Sequence, residues 1–443
     1  MKVILGFEQA RVFLSRNRSL AARQASPELL DAIAQAFGEP LTPEEAVTRI
    51  VAQVRTEGDA ALRHWAERLD GVRLQQFAVG VEEIETAHEE TPLKVRQALE
   101  HAARRIRAFH QKQRARSWLE WDDDGSALGQ LVRPLRRVGA YVPGGRAAYP
   151  SSLLMAVVPA QVAGVREIVV CSPPQRDGHV NPVILAAAKI AGVTEVYALG
   201  GAQAIAAMAY GTETLPRVDK IVGAGGLFVT LAKRQVFGEV GIDGLYGPTE
   251  TLLIADDSAE PAWVAADLLA QAEHDPLATS ILLTTSEASA RTVSAELHRQ
   301  VAHLPRRAII EESLQAQGAI CVVHDLAEAM ALANLYAPEH LCLLVREPWS
   351  LLGQVQNAGG VFVGHRSSEA LGDYIAGPSH IMPTGSTARF GSPLNVQDFL
   401  KITSVFALSD QAAGALSASA ITLAEAEGLL AHANALRQRM SEH

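Results

Sequence analysis

Two side chains near the middle of the chain are of types that bind metal ions. Gln271 and His274 stand three residues apart, directly after residues 263–270, whose apolar positions recur at helical spacing. Residues at i and i+3 project from one face of a helix, and Pro276 is expected to end the helix where ligands can reach both. A carboxamide oxygen and an imidazole side by side can form half of a metal site. The same pair can also be a solvated or capping cluster.

A carboxylate and an imidazole suited to proton transfer occur together at two further places. Glu339 and His340 are adjacent in a loop just before a strand-like run, and Asp373 and His380 share a loop punctuated by glycines. An imidazole that is neutral near pH 7 is suited to act as a general base. Because the chain contains 14 histidines, a histidine beside an acid is by itself unremarkable. Asp373 can equally accept hydrogen bonds from its own loop backbone.

The last candidate pair lies near the C-terminus. After a polar loop from residue 389, the sequence predicts a strand over residues 402–408 and one long helix over residues 422–439. Glu427 and His432 would stand about 140° apart around that helix, so they can serve only different atoms of one ligand. A helical tail of this kind is a natural docking element for a second subunit.

Two series of alternating strands and helices must position these candidates. Between residues 138 and 250 the elements alternate about every ten residues, with glycines at the strand ends. Such alternation predicts a doubly wound parallel sheet, whose ligands bind at the carboxyl ends of the strands. The glycine turns lack a GxGxxG pattern followed by an acidic residue, so alone they are weak evidence for a dinucleotide. The strands of the second series are predicted at residues 251–254, 280–283, 308–310, 320–323, 342–345 and 361–363.

These patterns predict an α/β fold with two doubly wound, Rossmann-like parallel-sheet domains, an N-terminal helical segment and a C-terminal helical dimerisation tail. Residues 118–126 interrupt the helical segment as an acidic turn or hairpin. The predicted divisions are an N-terminal arm (1–26), a first α/β domain (27–138 with 251–390), a second α/β domain (139–250) and a C-terminal dimerisation segment (391–443).

Composition and charge exclude several classes of protein. At 443 residues, with 48% hydrophobic and 20% charged residues, the chain is long enough for two or three domains and shows no sign of disorder. Its formal net charge of −10 argues against nucleic acid as the main partner. No apolar run reaches the length of about 18 residues that a membrane span needs, and the N-terminal apolar run is too short for a signal peptide. We therefore expect a cytoplasmic protein.

The cysteines bear on the redox compartment. Cys171, Cys321 and Cys342 each lie in or beside an apolar strand-like run. Three apparently buried cysteines favour reduced thiols over a disulfide framework or a CxxC metal site.

Longer motifs occur in order along nearly the whole chain. They are Tyr141–Gly145, Pro150–Ser151, Cys171–Pro174, Gly200–Ala204, Val218–Ile221, Ala232–Arg234, Gly241–Asp243, Gln271–His274, Pro338–Leu341, Gly372–His380, Thr387–Phe390 and Ala424–His432. Through these motifs the sequence resembles the histidinol dehydrogenase family from about residue 30 onward.

The resemblance implies a zinc- and NAD-dependent enzyme. It would oxidise L-histidinol through L-histidinaldehyde to L-histidine with two NAD⁺, in the last step of histidine biosynthesis. Carried over by position, the resemblance implies one Zn²⁺ per subunit, bound by Gln271, His274, Asp373 and His432. Two imidazoles and two oxygens form a donor set that suits Zn²⁺.

The resemblance also implies catalytic and substrate-binding roles. His340 would be the general base that takes the alcohol proton while hydride leaves for NAD⁺, and Glu339 would activate the water that attacks the aldehyde. Glu427 and His432 would come from the partner subunit, which implies a homodimer with a shared active site. The positions expected to contact the substrate are Thr249, Gln271, His274, His340, Asp373, His380, Glu427 and His432.

This chain departs from the family in the cofactor region. The cofactor is expected near Tyr141, Gln203 and Gly226, where the family has an Asn in a Gly-Pro-Gly-Asn turn and this chain has Gly-Ala-Gly-Gly. Losing the Asn removes a donor and an acceptor, a loss on the order of 1 kcal/mol, which puts cofactor affinity in question. Thr249 replaces an expected Ser and keeps the hydroxyl. The remaining departures are Tyr246, Ser368 and Ser379.

Three alternative functions remain open. A related zinc- and NAD-dependent dehydrogenase of another small alcohol, such as a sulfonated diol, would use the same zinc and base, although His380 and Glu427 favour histidinol. A zinc hydrolase would use Glu339 and His340 to activate water without NAD⁺, and the glycine-rich α/β region before residue 250 argues against it. A non-catalytic paralogue is disfavoured by the complete set of proposed ligands.

Overall fold

The protein is described by a computed structural model that covers residues 1–16, 18, 25–144 and 148–440. The predicted arm over residues 1–26 and the predicted glycine turn ending at Gly145 therefore lie partly outside the described residues. The chain divides into two compact units. The first unit comprises Met1–Gln113 and Leu135–Phe399, and the second comprises Arg114–Pro134 and Leu400–His443.

Strands and helices alternate through most of the first unit, and the elements of both units are numbered together in chain order. The strands are β1 (Lys2–Leu5), β2 (Trp118–Trp121), β3 (Ala127–Pro134), β4 (Arg137–Tyr141), β5 (Glu167–Ser172), β6 (Glu195–Ala198), β7 (Lys220–Val222), β8 (Gly241–Ile242), β9 (Glu250–Ala255), β10 (Thr279–Thr284), β11 (Ala319–Val322), β12 (His340–Leu344), β13 (Gly360–Val363) and β14 (Leu400–Ala407).

The helices are α1 (Phe7–Leu14), α2 (Pro27–Phe37), α3 (Pro43–Glu57), α4 (Asp59–Trp65), α5 (Val81–Glu90), α6 (Leu93–His110), α7 (Pro150–Ala163), α8 (Pro182–Ala191), α9 (Gly201–Tyr210), α10 (Leu227–Val236), α11 (Pro261–Ala272), α12 (Glu287–Val301), α13 (Arg307–Ala316), α14 (Leu326–Tyr336), α15 (Trp349–Leu352), α16 (Glu369–Leu371), α17 (Asp410–Ala426) and α18 (Leu430–Met440). Single 3₁₀ or π-helical turns are Ala66–Asp70, Gln111–Gln113, Gly372–Ala376, Thr387–Arg389 and Val396–Phe399.

Two parallel sheets organise the first unit, as the alternation predicted. The larger sheet has the order β1-β11-β10-β9-β12-β13 and the smaller has the order β6-β5-β4-β7-β8, with all pairs parallel. In the smaller sheet the chain builds outward from β4 in both directions. In the larger sheet it builds outward from β9, except that β1, which comes earlier in the chain, pairs with β11 at one edge. Helices cover both faces of the larger sheet. Its strands β9, β10 and β12 are therefore buried along their whole length and consist largely of apolar residues. The predicted fold class is confirmed.

The N-terminal helices cover the smaller sheet, whereas the sequence analysis grouped residues 27–138 with residues 251–390. Helix α3 packs on α9 and α10, while α5 packs on α8 and α6 packs on α7. Their apolar faces join the core of the smaller sheet, where Val47 and Ile50 lie with Ile205 and Leu231. An apolar helix face requires a covering sheet but does not specify which one, so local periodicity misplaced these helices.

The first strand, in the predicted N-terminal arm, is part of the larger sheet. Lys2–Leu5 pairs with Ala319–Val322 at the edge of the larger sheet, and α1 packs on α14. Ala10 and Leu14 enter the core beneath that sheet. A four-residue strand carries too little pattern to be recognised without its partner, which lies more than 300 residues away.

Two further element predictions are wrong. Residues 308–310 lie in α13, because Ile310, Ser313 and Leu314 bury one helical face and override the β preference of Ile309–Ile310. The single C-terminal helix is two helices, since Gly428 adopts a left-handed φ of 73° between α17 and α18.

The second unit is an antiparallel sheet with a helical hairpin. Strand β3 pairs with both β2 and β14, which confirms the hairpin near residues 118–126, and α17 packs on α18. Large apolar side chains are exposed on both parts, among them Phe406 at 77% and Leu430 at 65% exposure. No helix among the described residues is long and apolar enough to cross a membrane. Cys171, Cys321 and Cys342 are buried free thiols, as predicted.

Candidate active site

The candidate catalytic pair lies at the amino ends of two central strands of the larger sheet. His340 opens β12, Glu339 precedes it, and Thr249 and Glu250 stand at the start of the adjacent β9. Helix α11 returns toward the same edge and ends beside Gln271. The expectation that ligands meet the carboxyl ends of strands does not describe this sheet, because its polar cluster is built where strands begin.

Glu339 is held by the backbone and side chain that start β9. Its Oε2 accepts hydrogen bonds from the Thr249 hydroxyl at 2.6 Å and from the Glu250 N–H at 3.0 Å. Burial raises the pKa of Glu339 to about 7, against the opposing charge of His340 and these two hydrogen bonds. A carboxyl group with a pKa near 7 exists in both protonation states at neutral pH and is suited to acid–base catalysis.

The tautomer of His340 follows from its neighbours. Nδ1 lies 3.1 Å from the carbonyl oxygen of Glu250, which can only accept, so Nδ1 carries a proton. Nε2 faces Asp373 Oδ1 at 3.4 Å, and Glu339 Oε2 lies 3.6 Å from Nδ1. Burial lowers the pKa of His340, but the carboxylates of Glu339, Glu369 and Asp373 outweigh it and raise that pKa.

The Gln271 side chain is buried, and a neighbouring backbone N–H shows which end of its amide is the oxygen. One end of the amide lies 2.8 Å from the Glu250 nitrogen and 2.5 Å from Thr249 Oγ1, and the other lies 3.2 Å from Glu369 Oε2. A backbone N–H can only donate, so the end that faces Glu250 is the carbonyl oxygen and the NH₂ group faces Glu369. The carbonyl of Gln271 therefore lies on the same side as Glu339.

Asp373 connects the predicted histidines electrostatically. Burial raises its pKa, but the hydrogen bond and charge of His340 and the charges of His380 and His274 lower it overall. The backbone carbonyl of Asp373 accepts from His380 Nδ1 at 2.6 Å, and His380 Nε2 faces the Ser152 hydroxyl at 2.9 Å. His274 lies two residues beyond the end of α11. The prediction that it shares a helical face with Gln271 is therefore wrong.

Three of the four predicted zinc ligands lie in the first unit. Within the described residues, no three His, Cys, Asp or Glu side chains already form a cluster that could hold a metal. Gln271 nevertheless contacts Glu369, four residues before Asp373, and the charge of Asp373 acts on His274. The three residues offer an amide oxygen, an imidazole and a carboxylate, all of which suit Zn²⁺. The fourth predicted ligand, His432, lies on α18 in the second unit, and Glu427 lies at the end of α17. These two residues therefore do not share one helix.

The predicted cofactor residues lie at the carboxyl ends of the smaller sheet. Tyr141 ends β4, and its hydroxyl accepts from the Gly201 N–H at 3.2 Å. Gln203 donates to Asp70 Oδ2 at 3.1 Å, while its buried Oε1 has no hydrogen-bond partner among the described residues. Burial raises the pKa of Asp70 to about 6. An unsatisfied buried oxygen is an acceptor available to a ligand.

A buried ion pair fixes the glycine turn after β7. Lys233 Nζ donates to the Gly223 carbonyl at 2.9 Å and to Asp243 Oδ1, while Asp243 Oδ2 accepts from the Gly223 N–H at 2.7 Å. Gly223 has φ 109°, and a Cβ there would collide with the Tyr141 carbonyl. Hydrogen bonds to both the N–H and the carbonyl oxygen of Gly223 therefore hold the turn in place. A Cβ at Gly226 would meet no atom within 4 Å.

Several polar contacts of the site were not predicted from the sequence. Arg18, in the predicted N-terminal arm, pairs with Glu250 Oε1 at 2.5 Å, donates to Ser386 Oγ at 2.6 Å and lies 3.4 Å over the Tyr336 ring. No motif marks Arg18. Glu369 could have been found as a carboxylate one helical turn before Asp373.

Comparisons with known proteins agree along the chain. A sequence profile described as histidinol dehydrogenase matches residues 39–440. A protein named histidinol dehydrogenase from Deinococcus radiodurans is 54% identical over 442 residues, covering 99% of this chain and 100% of its own. Another from Moorella thermoacetica is 53% identical over 395 residues, covering 89% of this chain and 93% of its own. The crystal structure of histidinol dehydrogenase from Elizabethkingia anophelis has a TM-score of 0.90 at 33% identity, covering 99% and 98% of the two chains.

Proposed function

This chain belongs to the histidinol dehydrogenase family, and we propose that it oxidises L-histidinol through L-histidinaldehyde to L-histidine with zinc and two NAD⁺. The observation that carries the proposal is the buried pair Glu339–His340, held on the first residues of β9 and facing Asp373. The pair places a carboxylate of raised pKa beside an imidazole whose tautomer is fixed.

We assign the alcohol proton to His340. The Glu250 carbonyl retains the proton on Nδ1, so Nε2 is the atom that accepts the proton of the substrate hydroxyl. When bound by Gln271, His274, Asp373 and His432 of the partner subunit, zinc would hold the amino alcohol and offset the carboxylate charge that faces His340.

We assign the attacking water to Glu339. Both hydrogen bonds that anchor this side chain reach Oε2, and within the described part of the chain none reaches Oε1. Oε1 can therefore take a proton from water as the water attacks the aldehyde carbon.

We place NAD⁺ at the carboxyl ends of β4 and β7, against Tyr141 and Gln203. The aromatic ring of Tyr246 supports this placement, because its centroid lies 4.8 Å from Lys233 Nζ, and Thr249, three residues further along the chain, donates to Glu339. The glycine turn and the catalytic pair are thus neighbours within the first unit. This proximity would bring a bound nicotinamide close to the substrate carbon.

Restoring the amide of the family at Gly226 is expected to strengthen cofactor binding. Gly226→Asn should lower KM for NAD⁺ roughly fivefold, since one recovered hydrogen bond contributes about 1 kcal/mol. A Cβ at Gly226 meets no atom within 4 Å, and Asn is favoured at this N-cap position immediately before α10. Initial rates at saturating L-histidinol measure the change. Gly226→Ala adds only the Cβ, so an equal decrease in that variant would contradict the amide contact.

We propose a homodimer in which the second unit forms the interface and supplies Glu427 and His432. The exposed apolar side chains of that unit support the proposal, because exposed patches of this kind commonly mark protein contacts. They are Trp118, Trp121, Ile402, Phe406, Leu416, Leu423 and Leu430. We place the protein in the cytoplasm, whose reducing conditions suit three free thiols.

One assay tests the proposed function against its alternatives. Purified protein is incubated with L-histidinol, NAD⁺ and Zn²⁺, and NADH is counted per L-histidine formed. Two NADH per L-histidine are expected, and no L-histidine would exclude the proposal. NADH formation from a sulfonated diol alone would support a related alcohol dehydrogenase, and turnover without NAD⁺ would support a hydrolase.

A further inference from the structure

A buried polar cluster lies next to the proposed metal ligand Gln271. Glu369 begins α16 and is only 2% exposed. Its Oε1 accepts from the Thr251 hydroxyl and lies 3.2 Å from Cys342 Sγ. Thr251 stands in register with His340, so the cluster lies directly beneath the catalytic edge of the larger sheet.

The second oxygen of Glu369 contacts the Gln271 amide. Oε2 lies 3.2 Å from the amide end that carries the NH₂ group. This contact does not depend on ionisation, because a carboxyl group offers an accepting oxygen in either protonation state. The carbonyl end consequently faces the Glu250 N–H and Thr249, the two groups that also contact Glu339.

Glu369 also lies on the segment that carries a second proposed ligand. Asp373 follows it by four residues, in the helical turn Gly372–Ala376 that continues α16. A single short segment thus provides one ligand directly and contacts another through its side chain. Residues that contact metal ligands in this way fix ligand orientation and raise metal affinity.

We propose that Glu369 is the positioning residue of Gln271, accepting from its NH₂ group so that the carbonyl oxygen is presented to the metal. The inference rests on the proposed function, since it assumes a zinc ion at Gln271. In the absence of Glu369 the buried NH₂ group has no carboxylate to donate to, and the two amide orientations become closer in free energy. The expected consequence is weaker zinc binding in a protein that remains folded.

The test measures zinc affinity directly, without turnover. Full-length protein is stripped of metal, and zinc is titrated in competition with a chromophoric chelator. Glu369→Leu should weaken zinc binding about 10- to 100-fold. Glu369→Gln keeps an accepting oxygen and should remain within about threefold of wild type. Cys342→Ala is the matched control, because it removes a different neighbour of Glu369 and leaves the Gln271 contact in place.

A swap provides a second test if Glu369→Leu fails to fold. Gln271→Glu places two carboxyl groups face to face and should bind zinc poorly. Adding Glu369→Gln returns a donor to that contact and should recover at least tenfold in affinity.

The outcomes separate this proposal from the proposed function. If wild-type protein binds zinc, any of three results would overturn the positioning role. They are wild-type affinity in Glu369→Leu, an equal loss of affinity in Cys342→Ala, and no recovery of affinity in the swap. Wild-type protein that binds no zinc would overturn the proposed zinc chemistry and this inference together.

Discussion

Replacing His340 by Ala is expected to lower kcat for L-histidinol about 10²- to 10⁴-fold while zinc content is unchanged. The imidazole accepts the alcohol proton at Nε2, and Ala leaves no base at that position. Zinc content should not change because His340 is outside the proposed ligand set. Rapid-mixing measurement of the first NADH formed, with zinc counted by atomic absorption, gives both values.

The matched control for this variant is Phe362→Leu. The Phe362 ring lies 5.6 Å from the imidazole of His340 and packs against it without taking part in proton transfer. Its replacement should reduce the rate less than tenfold, as expected of a packing change. Loss of zinc in His340→Ala, or a rate near wild type, would refute the assigned role.

For Glu339→Gln the expected defect lies in the second oxidation. The amide oxygen can still accept from Thr249 and Glu250, so the loop should remain in place. Without a carboxylate to activate water, oxidation of supplied L-histidinaldehyde should fall about 10²- to 10⁴-fold. One NADH per L-histidinol should form, and a carbonyl trap should capture the aldehyde.

The rate of aldehyde oxidation is expected to depend on pH through Glu339. Only the ionised carboxyl group can accept a proton from water, and the pKa of Glu339 is raised to about 7. Aldehyde oxidation by wild-type protein should therefore rise with pH and level off above about 7, whereas Glu339→Gln should lose this dependence. Thr249→Ser retains the hydroxyl and should follow the wild-type profile. An unchanged rate on the aldehyde in Glu339→Gln would remove Glu339 from this role.

Features of the fold that depend on local sequence could be predicted. Alternating apolar runs and glycines located most strands of both parallel sheets. Thr42 followed by Pro43 is typical of a helix start, and α3 begins there with a reciprocal capping box between Thr42 and Glu45. These signals depend on neighbours within four residues, so the sequence alone contains them.

Features that depend on distant contacts could not be predicted in the same way. The grouping of helices α3–α6 with the smaller sheet depends on which complementary surface they meet, and their apolar periodicity would suit either sheet. The sequence places Glu339 and His340 just before a strand, but the pairing of that strand with β9, which brings the pair to Thr249 and Glu250, depends on contacts between residues about 90 positions apart. Family motifs identified these two residues, but the hydrogen bonds to Glu250 that orient them became known only from the structure.

The partner of β1 sets the order in which the larger sheet can be completed during synthesis. Lys2–Leu5 pairs with Ala319–Val322, which are synthesised more than 300 residues later. At 5–20 residues per second, translation reaches those residues roughly 15 to 60 s after it has passed β1. The nascent chain must keep Val3 and Leu5 from other partners throughout that interval. The strands and covering helices of the smaller sheet all precede residue 250, so most of this sheet can form first, and Ile381, Leu394 and Phe399 join its core later.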